Sequence, residues 1–160
     1  GEDLERQIKD RGWVSVNDPA CGAGALLIAF ANELRRPGRD INYQTSVLFV
    51  AQDIDMIVGC MCYIQLSLLG CPGYVVIADT IANPSTSIDK HGLIPVPGEN
   101  IWYTPFYFRD VWHYRRLMVQ LDMLFTHKSP EPEAPLLPEA EPEPTPPPLN
   151  EAKGGQLTFF

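Results

Sequence analysis

Three aspartates are the residues best placed to do chemistry, because each closes a short apolar run: Asp18 in "VSVND", Asp53 in "VLFVAQD" and Asp79 in "YVVIAD". The first run turns into a helix pattern through "PACGAG", which carries Gly22 and Gly24. Without a Cβ, these positions let backbone N–H groups approach a ligand closely and adopt unusual dihedrals. The G-x-G spacing lacks the third glycine of the dinucleotide fingerprint, so it suggests a phosphate cradle only weakly. A carboxylate at Asp18 repels phosphate but pairs with an ammonium group. Asp53, closing the second run, is expected within reach of ribose hydroxyls, and Asp79 is suited to accept a hydrogen bond from an adenine amino group. The three acids and the glycine turn therefore describe an adenosine ligand that carries an ammonium and no phosphate, which is S-adenosylmethionine. The competing reading is that the acids cap three helices, since aspartate is a common N-cap.

Elements with the right order and spacing are needed to bring these residues together. "DLERQIKDRG" reads as a polar helix ending at Gly12, and "WVSVND" alternates as a short strand. "AGALLIAFANELRR" is a mostly apolar helix stopped by Pro37-Gly38, and "TSVLFVAQD" is a nearly continuous apolar strand, as expected when both faces are buried. "MIVGCMCYIQLSLLG" is the next helix and "YVVIAD" the third strand. This alternation predicts an α/β fold with a parallel sheet and crossover helices, in which ligands bind outside the carboxyl ends of the strands. From Thr80 to Asn100 turn residues predict an irregular loop. "IWYTPFYF" is strand-like but interrupted by Pro105, and "RDVWHYRRLMVQLDMLF" predicts an amphipathic helix with Val111, Tyr114, Met118, Leu121 and Phe125 as its apolar stripe.

The segment "NDPACGAGALLIAF" resembles the first motif of the N6-adenine DNA methyltransferases, closest to the modification subunit of type I restriction systems. "AQDID" is similar to that family's second motif and "GYVVIADTIANP" to its third, so the resemblance covers about residues 13–84. It implies a class I S-adenosylmethionine-dependent methyltransferase fold, Rossmann-like, with flanking helices. Cofactor contacts are implied at Asp18, Ala20, Gly22 and Gly24, ribose contacts at Asp53, and adenine contacts at Ile54 and Asp79. The activity implied is methyl transfer to adenine in DNA, the DNA being held with the help of another chain or a further segment. Such enzymes also use a [DNS]-P-P-[YFW] motif, whose polar groups hold the exocyclic amine while the aromatic stacks on the flipped base. No such tetrapeptide occurs here. Thr104-Pro105-Phe106-Tyr107 resembles a degenerate version, giving Thr104, Pro105 and Tyr107 as catalytic candidates, with an aromatic core or partner contact as the other reading. The family's segment that closes over the methionine end of the cofactor precedes its first motif. About 15 residues stand there, so the chain is expected to be part of a longer protein or to leave that side open. The alternative function is a non-catalytic, methyltransferase-like cofactor-binding module.

Composition divides the 160-residue chain into an expected methyltransferase-like domain at 1–128, a Pro/Glu-rich disordered linker at 129–155 and a terminal peptide at 156–160. In that peptide Gln156, Leu157, Phe159 and Phe160 resemble the short motif by which bacterial replication and repair proteins dock on the sliding clamp. "QLSLL" and "QLDMLF" match it loosely too, but fall within helix patterns. A net charge of −8 argues against broad, charge-driven nucleic-acid binding by this chain alone. Arg35, Arg36 and Arg39, and the pair Arg115-Arg116, are expected on solvated helix ends or faces. No apolar run is long enough to cross a bilayer. Cys21, Cys60, Cys62 and Cys71 are expected as reduced core thiols, and His91, His113 and His127 form no metal or triad pattern. Those features together suggest a cytoplasmic protein.

Overall fold

The continuous apolar run of the second strand sets the centre of the molecule. A computed structural model describes residues 2–39, 41–98 and 100–126. The expected linker and the clamp-like residues Gln156, Leu157, Phe159 and Phe160 lie outside the described residues. Strands β1 (Val14–Asp18), β2 (Val47–Asp53), β3 (Gly73–Ile77) and β4 (Ile101–Tyr103) form one sheet in the order β1-β2-β3-β4. The first two pairings are parallel and aligned, with Asp18 opposite Ala51 and Asp53 opposite Ile77. The carboxyl ends of three strands therefore share one edge.

The fourth strand departs from the all-parallel expectation. β4 runs antiparallel to β3, with Val76 paired to Ile101 and Tyr74 to Tyr103. A parallel neighbour needs a crossover that carries the chain back to the starting end of the sheet. Here the chain turns back through the irregular 78–100 segment, so it re-enters beside the end it has just left. The result is a mixed four-stranded sheet with flanking helices, an α/β fold.

Alternate residues of β2 feed two cores. Val47, Phe49 and Ala51 join Leu27, Ala31, Leu34, Cys62 and Leu66 on one side. Those partners come from α2 (Ala25–Leu34) and α4 (Met56–Leu68). Leu48 and Val50 face the other core, with Trp13, Tyr74, Tyr107 and Trp112. Helix α1 (Glu2–Arg11) contributes Leu4 and Ile8 to the first core, and α3 (Tyr43–Ser46) is a single turn leading into β2. Cys21, Cys62 and Cys71 are buried and Cys60 half-buried, all free thiols. Among the described residues no helix is long and apolar enough to cross a membrane.

The last helix, α5 (Asp110–Thr126), packs differently from its expected stripe. Trp112 is fully buried and its indole N–H donates to the Gln44 carbonyl (3.0 Å). Tyr114, Met118, Leu121 and Phe125 are exposed instead, and only Val111 of the expected stripe packs on the core. The arginines belong to the packed side as well. Arg115 stacks over Trp112 at 4.6 Å and donates to the Thr45 and Gly12 carbonyls. Arg116 lies 4.0 Å from the Tyr107 ring and donates to the Tyr107 carbonyl (2.9 Å). Neither arginine is a solvated surface charge. One large indole and the methylene stems of two arginines, which cover apolar surface while their heads find carbonyls, outweigh the expected apolar stripe.

Candidate cofactor site

At the shared edge of the three parallel strands lies a cleft of about 320 Å³ lined by Pro19, Ala20, Asp53, Ile54, Asp79, Thr80 and Ile81. Its size falls at the small end of ligand pockets. Four expected site residues line it: Ala20, Asp53, Ile54 and Asp79. Asp18, Gly22 and Gly24 stand in the turn beside it. No lysine or arginine is among the lining residues, so the cleft offers acids and apolar walls.

The acids are not helix caps in the simple sense. Gly24 is the N-cap of α2 and Asp55 that of α4, its carboxylate accepting from the Ile57 and Val58 amides at 2.7 and 3.3 Å. Asp53 instead holds two loops. Its Oδ2 accepts from the Gly22 amide (2.8 Å) and its Oδ1 from the Asp55 amide (3.0 Å). Asp18 Oδ1 accepts from the Ala20 amide at 3.3 Å. Asp79 Oδ1 accepts from Ile81 at 2.9 Å and from Ala82 at 3.4 Å, shaping the turn that carries Ile81 into the cleft wall. Each oxygen of a carboxylate has two lone pairs, so Asp53 retains capacity for two further donors after these bonds.

The glycine turn has the unusual dihedrals its sequence suggests, with φ +51° at Gly22 and +86° at Gly24. Gly24 serves packing as well: a Cβ there would stand 2.8 Å from Cys62 Sγ. Cys21 Sγ donates to the Gly22 carbonyl (3.4 Å), and the neighbouring Cys62 thiol together with burial holds the Cys21 thiol protonated, far above the ordinary range. A thiol so held is no nucleophile.

Two residues inside the second and third motif-like segments carry no expected role from sequence, yet they position the cleft. Gln52 is fully buried in β2, donates to the Ala78 and Asn83 carbonyls (3.3 and 2.9 Å) and accepts from the Ser85 amide (2.9 Å). It clamps the segment that bears Asp79. The signal for it is a lone amide at the end of an otherwise apolar strand. Thr80 Oγ1 donates to the Pro19 carbonyl (2.5 Å), tying that segment to the turn after β1.

The expected catalytic group is elsewhere. Thr104 is fully buried; its hydroxyl donates to the Cys71 and Gly73 carbonyls (2.7 and 3.1 Å) and accepts from the Gly73 amide (3.0 Å). Gly73 begins β3, whereas the cleft lies beyond that strand's other end, about 13 Å away at 3.3 Å per residue. Pro105 opens the 3₁₀ turn Pro105–Phe108. Tyr107 is buried under the Arg116 guanidinium with its hydroxyl donating to the Leu93 carbonyl (3.3 Å), and burial pushes its phenol up to about 12. Thr104, Pro105 and Tyr107 thus form a structural plug at the amino end of β3, the aromatic-core role. The antiparallel entry of β4 puts them there. A second hollow, of about 210 Å³ beneath the 83–100 segment, holds none of the expected site residues.

Among the described residues no cluster of three or more His, Cys, Asp or Glu is arranged to hold a metal. Comparisons with models of known protein families, with curated proteins and with solved structures find no match.

Proposed function

We propose that this chain binds S-adenosylmethionine in the cleft at the carboxyl ends of β1, β2 and β3, and that it is a methyltransferase-like module of the N6-adenine DNA methyltransferase type. The observation that carries the reading is the convergence of Ala20, Asp53, Ile54 and Asp79, chosen from sequence, on one cleft free of cationic lining residues. In this reading Asp53 takes the ribose hydroxyls with its remaining lone pairs, while Ile54 and Ile81 supply apolar walls for the adenine. Asp79 accepts from the adenine amino group, and Asp18 pairs with the ligand's ammonium. Gly22 and Gly24 keep the turn low enough for the ligand to lie against it. The bound cofactor would supply an electrophilic methyl group; the residues described here bind and orient it.

Between the two forms of this function, the buried position of Thr104 favours the binding module over a self-sufficient enzyme. A methylase needs a polar group that reaches the acceptor amine near the cofactor, and the candidate for that role is spent on the backbone of Cys71 and Gly73. DNA and the sliding clamp remain the proposed partners, the latter through residues 156–160. A radiolabelled methyl-transfer assay on mixed duplex DNA separates the forms. The module reading expects saturable cofactor binding without methyl incorporation by this chain alone. Incorporation abolished by Thr104→Val and by Asp18→Ala would overturn it in favour of the enzyme.

A further inference from the structure

Helix α4 has no charged side chain along its 13 residues and is apolar on nearly every side. Such a helix belongs in an interior, with both faces covered. Its inner face, Gly59, Cys62 and Leu66, is buried against the sheet and α2. Its outer face is open: Ile57, Met61, Ile64 and Leu68 are 73%, 48%, 54% and 83% exposed. At 100° per residue these four fall within about 60° of arc, a single straight stripe.

The spacing of the stripe, 4-3-4, is the d-a-d-a seam of a coiled coil. It is also unchanged by reversal of direction. In an antiparallel pair of α4 helices Ile57 meets Leu68 and Met61 meets Ile64, and the two-fold axis falls between Cys62 and Tyr63. The absence of charge on the helix removes any like-charge penalty between copies, and antiparallel alignment opposes the two helix dipoles favourably. The four residues expose on the order of 500 Å² per copy, so a symmetric pair would bury at most about 1,000 Å², the size at which specific interfaces begin. A patch of this size stands toward the upper end of what monomers leave open, where such patches are often functional.

We infer that the occupant of this face is a second copy of the chain, docked α4 to α4 in antiparallel fashion to form a two-fold symmetric dimer. The inference is independent of the cofactor reading, since none of the four stripe residues lines the cleft. The test is light scattering coupled to size exclusion on the full 160-residue chain at about 50 µM, well above a micromolar dissociation constant. The wild type is expected at twice 17.9 kDa. Met61→Glu and Ile64→Lys are each expected at the single-chain mass, with unchanged circular dichroism because both positions are half-open to solvent. An equimolar mixture of the two variants should recover the dimer, because only the antiparallel register sets position 61 of one copy against position 64 of the other. A single-chain mass for the wild type overturns the inference, including the case in which the stripe instead captures a helix of another protein. So does a dimer indifferent to Met61→Glu, or a mixture of variants that stays monomeric.

Discussion

Asp53 has two bonds to keep before it can hold a ligand, and this makes its substitutions informative. Asp53→Ala removes the anchor of the Gly22 amide (2.8 Å) together with the proposed ribose acceptor. Calorimetry should show S-adenosylmethionine affinity at least about tenfold weaker, or 1.4 kcal/mol. Asp53→Asn retains one acceptor oxygen and should fall between. Thr104 predicts the opposite pattern. Thr104→Val leaves the Gly73 amide without its buried acceptor, a loss on the order of 1–3 kcal/mol of stability by denaturant titration, while cofactor affinity per folded molecule stays unchanged. An affinity loss as large as that of Asp53→Ala would return Thr104 to the site. Gly24→Ala should cost stability on the same scale, because φ is +86° and the new methyl meets Cys62. Cys62→Ala should recover only the steric part.

The elements that were legible in the sequence are those with one dominant pattern. Strands β1 to β3 and helices α2 and α4 stand where apolar runs and turn residues place them: β2 and β3 are nearly buried on both faces and leave little alternative reading, while β1 is marked by its alternation. Acids at strand ends were legible for the same reason: they stop the apolar run. The pairing of β4 was not legible, since three residues, Ile101–Tyr103, carry no mark of direction. Helix α5 differs from its expected packing because it has two candidate faces, and a periodicity argument counts apolar residues while discounting the stems of Arg115 and Arg116. At this scale Arg115→Ala is expected to destabilise by loss of packing on Trp112 and of its bonds to the Gly12 and Thr45 carbonyls. The chemical-denaturation midpoint should fall markedly more than for Arg36→Ala, whose partner Glu33 forms an exposed pair.

For the molecule as a whole, the contact between the first helix and the long loop gives stability a pH dependence near neutrality. His91 loses some solvation and sits beside the Arg11 guanidinium, 3.2 Å from its Nη1, and both depress its pKa below the ordinary histidine value. The unfolded chain then binds the proton more readily than the folded one, so stability rises with pH across the window just below the unfolded pKa and falls on acidification through it. Thermal melts between pH 7.5 and 6 should show this loss, and His91→Gln should flatten it; equal slopes for the two proteins would assign the dependence to other groups. The central claim remains the ligand of the Asp53–Asp79 cleft. Its most direct test is isothermal titration of the chain with S-adenosylmethionine, run beside adenosine triphosphate as a phosphate-bearing control. Saturable one-to-one heat for S-adenosylmethionine alone, weakened by Asp53→Ala and Asp79→Ala, is the predicted result. No saturable heat at millimolar ligand, or equal binding of adenosine triphosphate, would contradict it.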